Sequence, residues 1–136
     1  MVLKAYRYTL LFISWAVFIT MLSLFSFSTL HLDTGGIDIP YADKITHFVF
    51  YTGFAFLGSL CFRERTKGNI PLGKATIMVL VTAISYGIII EVLQYMFTTD
   101  RMAEIGDVLA NSLGALTGIG LIRWLFSKEK PLKWKF

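Results

Sequence analysis

The chain is short of everything that a soluble domain uses to face water. Only 16% of its 136 residues are charged, whereas 55% are hydrophobic. That deficit excludes an ordinary water-soluble domain of this size and makes an integral membrane protein the first reading. Cysteine occurs once, at Cys61, so no internal disulfide can form and a metal centre built on thiolates is excluded. No serine or cysteine sits in a nucleophile motif, which argues against acyl transfer through a covalent enzyme intermediate. There is no internal repeat and no low-complexity segment.

What remains is four long apolar runs. Tyr8 to Ser28 carries no charge, Ile45 to Phe62 is interrupted only by His47, and Ala75 to Phe97 contains only Glu91. Val108 to Ile122 is uncharged and extends back through Asp107 to Ile105. A helix crosses a bilayer in roughly 20 residues. The runs therefore predict an all-α, polytopic membrane protein, a four-transmembrane-helix bundle with spans at about 8–28, 43–62, 75–98 and 105–126 in one domain over 1–136. Ser26-Phe27-Ser28 looks like a small-x-small cleavage site. The apolar stretch before it exceeds the roughly 7 to 15 residues of a signal core, so the first run is expected to be retained as a span.

Basic residues orient the chain. With four crossings, eleven of the thirteen lie on one side: Lys4 and Arg7; Arg63, Arg65, Lys67 and Lys74; Arg123, Lys128, Lys130, Lys133 and Lys135. Lys44 and Arg101 fall on the other. The positive-inside rule then places both termini in the cytoplasm. It also accounts for the net charge of +4 without a nucleic-acid partner. The Lys/Trp/Phe tail at 128–136 reads as a segment held at an anionic leaflet.

The few polar residues within the runs are not scattered. Asp43, His47 and Tyr51 are spaced by four and share one helix face. Gly87, Glu91, Gln94 and Thr98 share another, and Asp107 and Asn111 flank a ladder of small residues at Gly106, Ala110, Gly114 and Gly118. At a rise of ~1.5 Å per residue, all of these groups fall in the outer third of the bilayer. An unpaired charge deep in lipid costs ~2.5–3.5 kcal/mol on insertion scales, so such groups face one another or water. Three carboxylates (Asp43, Glu91 and Asp107) then have Lys44, Arg101 and His47 as partners, and the charges balance if His47 is protonated or one carboxyl stays neutral. The bland alternative is interhelical glue that fixes the register of the bundle. His31, in the loop after the first span, reads as a solvated residue.

The ordered set Asp43-Lys44-x-x-His47-Phe48-x-x-Tyr51, Glu91-x-x-Gln94, Arg101 and Asp107-x-x-x-Asn111 with Gly114 resembles the VanZ-like family of small bacterial membrane proteins. The first span and the tail carry no distinctive match. The resemblance implies a multi-pass protein of the bacterial cytoplasmic membrane, with functional positions at Asp43, Lys44, His47, Glu91, Gln94, Arg101, Asp107 and Asn111. It also implies a link to resistance to the glycopeptide teicoplanin.

Two functions follow from such a pocket. One is binding of an envelope lipid, a lipid-linked cell-wall precursor or a glycopeptide, with Asp43, Lys44, Tyr51, Gln94, Arg101 and Asn111 as contacts. The other is intramembrane catalysis on an envelope lipid, with His47 as base, Glu91 as acid and Asp107 beside them. No cofactor is required; a divalent cation on Glu91, Asp107 and His47 is compatible with the donor set. A transporter would need a homo-oligomer, since polar groups confined to one side provide no through-path.

Overall fold

A computed structural model of the chain describes residues 5–25, 41–98, 104–127 and 132–136. Four helices account for nearly all of them: α1 (Arg7–Leu24), α2 (Ala42–Thr66), α3 (Leu72–Phe97) and α4 (Ile105–Leu125). All four are long and apolar enough to cross a membrane. There is no strand among the described residues. Ile13, Val17, Ile77, Val81, Ile89, Leu109 and Leu113 are each about half exposed or more. An outer surface this rich in aliphatic side chains is suited to acyl chains rather than water.

Helix α2 is the centre of the bundle and packs against each of the other three. Its closest neighbour is α4, and the small-residue ladder explains the approach. Gly106, Gly114 and Gly118 of α4 lie opposite Lys44, Phe48 and Thr52 of α2, which are themselves spaced by four. A Cβ on Gly114 would strike the Phe48 carbonyl oxygen and lie 3.0 Å from the carbonyl carbon, so the backbones meet directly. Thr52 Oγ1 uses that proximity to donate to the Gly114 carbonyl at 3.1 Å. Close backbone contact is the main source of helix adhesion in lipid, where apolar burial supplies no drive.

Helix α1 is held to α2 and α3 by aromatic groups with polar tips. Trp15 Nε1 donates to the Phe50 carbonyl at 3.0 Å, and Tyr86 Oη donates to the Ala16 carbonyl at 2.8 Å and meets Thr20 Oγ1. Trp15 is thus a packing residue in the middle of a span. The shared core beneath it is Ile19, Tyr51, Phe54, Ala55, Val79, Ala83, Ala115 and Ile119.

The end of the bundle opposite Asp43 differs from the expectation in two respects. Helix α2 runs on through Thr66, well beyond Phe62, before Lys67 and Gly68 turn it with positive φ and the Gly68 amide closes on the Arg63 carbonyl. The added turn carries Glu64, whose carboxylate accepts from the Tyr8 amide at 3.1 Å and from the Thr9 amide and hydroxyl at 2.8 Å each. Helix α1 has no side-chain cap of its own. Glu64 supplies one from a neighbouring helix, satisfying amides that would otherwise lack acceptors and placing negative charge at the positive end of the helix. Glu64→Ala is expected to cost about 1–2 kcal/mol, the size of a lost N-cap. A lower melting temperature in detergent, with unchanged helical content, checks it.

The second difference concerns one residue of the tail, Trp134. Trp134 is buried, donating to the Ile70 carbonyl at 2.7 Å, while Arg63 donates to the Trp134 and Lys133 carbonyls at 2.7 and 2.8 Å. The described tail is folded against the α2–α3 turn, with Arg63 stacked over Phe126 and Phe136. Trp134 packs on protein; Lys133, Lys135 and Phe136 stay exposed. Cys61 is also a packing residue, with Sγ 3.6 Å from Thr9 Oγ1.

Candidate functional site

The polar faces of α2, α3 and α4 converge at the end of the bundle near Asp43. His47, Glu91, Asp107 and Asn111 are all buried, between 2% and 7% exposed. His47 Nδ1 lies 2.9 Å from Asn111 Oδ1 and 3.7 Å from Glu91 Oε1. One donor atom from each of His47, Glu91 and Asp107 lies within 4.8 Å of the other two. Three helices therefore bring one imidazole, two carboxylates and one amide into a single buried cluster.

Local geometry explains why the cluster fits. Gly87 sits one turn before Glu91 on α3, and a Cβ there would come within 3.2 Å of both the Asn111 amide and the Tyr51 ring. The missing side chain is the space those two groups occupy. Gly106 plays the same part for Lys44, whose Cε would collide with a Cβ at that position. Tyr51 is fully buried, and its ring stacks on Phe54.

Lys44 forms the rim. Its ammonium reaches Glu104 at 2.8 Å, Asp43 at 3.2 Å and Asp107 at 3.4 Å. Asp43 and Glu104 are half exposed, at 43% and 56% of their side chains, whereas Asp107 is at 11%. One ammonium thus serves three carboxylates, the innermost of which belongs to the buried cluster. A cleft of about 240 Å³ lies beside His47, with Ser23, Asp43, Thr46 and Phe50 in its wall.

Polar capacity is left over inside the protein. Tyr51 Oη, Asn111 Nδ2 and Asp107 Oδ1 have no hydrogen-bond partner among the described residues, and Asp107 Oδ1 lies at ion-pair distance, 3.4 Å, from the Lys44 ammonium. A buried donor without a partner costs roughly 1–3 kcal/mol, so a fold that keeps such groups is expected to use them.

Most residues expected at the site are brought together. His47, Glu91, Asp107 and Asn111 form its interior, Asp43 and Lys44 its rim, and Tyr51 lies against the same glycine as Asn111. Gln94 is turned elsewhere: its amide donates to the Ser23 carbonyl at 2.8 Å, tying α3 to the end of α1. Arg101 lies outside the described residues, as do His31, Asp33, Asp38 and Asp100. Glu104 was not among the expected contacts, although it is the closest partner of Lys44. Its signal was an acidic residue directly before α4. Ser23 and Thr46 carry no comparable mark in the sequence.

A buried ionic cluster held by three of four membrane-length helices defines a class: an all-helical protein of the multi-pass membrane type, with a polar cluster enclosed between its helices. The chain belongs to the VanZ/LLP1 family, whose model matches residues 3–126. No curated protein and no solved structure matches it.

Proposed function

We propose that this chain is a binding protein of the outer leaflet of the bacterial cytoplasmic membrane, with both termini cytoplasmic, and that its polar site takes an amine-bearing envelope ligand. The excess of carboxylate at the site carries this reading. Asp43, Glu91, Glu104 and Asp107 surround one lysine and one histidine. The adjoining stretch 99–103 adds one acid, Asp100, and one base, Arg101, which cancel. Lys44 is engaged by three carboxylates and offers little to a further anion, whereas a ligand ammonium would gain charge-assisted hydrogen bonds from the rim. Candidate ligands are an ethanolamine lipid headgroup, the amino groups of a lipid-linked cell-wall precursor, and the amino groups of a glycopeptide such as teicoplanin. Capture or shielding of any of these is the route by which the site would bear on glycopeptide resistance. Tyr51 Oη and Asn111 Nδ2 supply the neutral contacts that orient the ligand.

A second reading is catalysis on an envelope lipid, favoured by the 3.7 Å approach of His47 Nδ1 to Glu91 Oε1. That distance suits an acid–base pair that tightens on substrate.

Native mass spectrometry of the protein released from nanodiscs holding equal phosphatidylethanolamine and phosphatidylglycerol tests the main reading. We expect selective retention of the ethanolamine lipid. Equal retention of the two, or preference for the anionic lipid, overturns it.

A further inference from the structure

We infer that the interior of the cluster is a binding site for one divalent transition-metal ion, held by His47, Glu91 and Asp107. The geometry is that of ligands around a shared centre. An ion ~2.1 Å from each donor sets adjacent ligands about 3 Å apart and opposite ones about 4.2 Å apart. The donor atoms of His47, Glu91 and Asp107 all lie within 4.8 Å of one another, not far beyond the opposite-ligand separation, before any ion draws them in. With Nδ1–H donating to Asn111 Oδ1, the imidazole keeps Nε2 for the ion.

The donor types narrow the ion. An imidazole with two carboxylates is a mixed nitrogen–oxygen set, which suits manganese, iron or zinc; calcium and magnesium prefer oxygen alone. Two carboxylates balance a dication without a proton on either, and they leave the imidazole neutral, as a ligand must be. Burial keeps the triad from bulk water, and the ligands stand on three helices packed through backbone contacts rather than on loops.

A second observation points the same way. The Asn111 side chain enters this cluster through Oδ1, and its Nδ2 is buried with no acceptor among the described residues. A ligand oxygen completing the coordination shell of the ion would accept from it. Asn111 is then a positioning residue that orients both the imidazole and the incoming group. The site shares Glu91, Asp107 and Asn111 with the proposed amine pocket, so ion and amine would compete there, but a metal titration without lipid tests this inference independently of that reading.

A second trio, Asp43, Glu104 and Asp107, also lies within ligand distance of one another, but two of its members are half exposed and Lys44 sits among all three. Its ammonium already occupies the place of a cation there. The two trios make opposite forecasts.

The test is titration of the chelator-stripped full chain in detergent with Mn²⁺, reading free ion by electron paramagnetic resonance. One Mn²⁺ per chain is expected. Glu91→Gln and His47→Gln should each weaken binding at least tenfold, and Asp43→Asn should leave it within about threefold. Asn111→Asp, which adds a carboxylate beside the other two, should tighten binding about tenfold, a gain that misfolding cannot produce. Wild-type binding no stronger than that of Glu91→Gln overturns the inference. So does loss of binding in Asp43→Asn with Glu91→Gln unaffected, which would place the ion at the rim.

Discussion

Gly114→Val is expected to cost about 3 kcal/mol of stability and to open the bundle at its tightest seam. The branched side chain would project into the backbone of α2 at Phe48, where the carbonyl oxygen, the carbonyl carbon and Cα all lie within van der Waals distance of the new Cβ. A flexible side chain could swing aside; a helical backbone cannot. The two helices must separate, and overpacking of this kind typically costs 1–3 kcal/mol. Separation also breaks the Thr52–Gly114 hydrogen bond and loosens Gly118 against Thr52, one turn away. Because helices in lipid gain little from apolar burial, no compensating term remains. The internal control is Gly120→Ala on the same helix, where a Cβ meets nothing within 4 Å. That change should be neutral or stabilising by up to ~1 kcal/mol through helix propensity. Thermal unfolding of the two variants in detergent separates a local packing effect from a general intolerance of α4.

Glu91→Gln is expected to abolish ligand retention while leaving the protein folded. The substitution keeps the shape of the side chain, exchanges one acceptor oxygen for a donor amide and removes one negative charge from an acid-rich cluster. Hydrogen bonds to charged groups contribute ~1.5–3 kcal/mol. At 1.4 kcal/mol per decade, losing one weakens binding roughly 10- to 150-fold. Stability should be unchanged or slightly raised, since a charge that function requires is costly to keep in a buried site. Retained ethanolamine lipid, measured by native mass spectrometry beside the wild type, provides the readout. A variant that unfolds but binds normally when folded would mark Glu91 as glue.

Much of this site is legible in the sequence, and for one physical reason. In a bilayer a charge must find a partner, so polar residues inside apolar runs announce that they meet. The spacing of His47 from Tyr51 and of Gly87 from Glu91 placed them on the faces that are buried in the bundle. The ladder at Gly106, Gly114 and Gly118 marked the seam on which α2 lies. Depth counting from the helix ends did the rest.

What escaped was decided by tertiary contacts between groups with no local pattern. Gln94 lies on the same face as Glu91, yet a single turn carries its amide past the cluster to the Ser23 carbonyl. The extension of α2 through Glu64 depends on α1 arriving with bare amides, which composition cannot show. Trp134 reads as a membrane anchor by residue type and is instead a protein-packing residue, because the Ile70 carbonyl at the α2–α3 turn accepts from its indole. In each case the deciding partner is a backbone group, and backbone groups leave no trace in the identity of a residue.

The claim beneath all of this is that side chains from separate helices act as one site. A double-mutant cycle on His47→Ala and Asn111→Ala, followed by unfolding in mixed micelles, tests it most directly. The two residues are 64 positions apart in the chain and joined at 2.9 Å across α2 and α4. Interhelical hydrogen bonds in membranes average ~0.6 and reach ~1.7 kcal/mol in such cycles. We expect a coupling of about 1 kcal/mol, with the double variant little worse than either single one. Additivity of the two losses within about 0.3 kcal/mol would contradict the account.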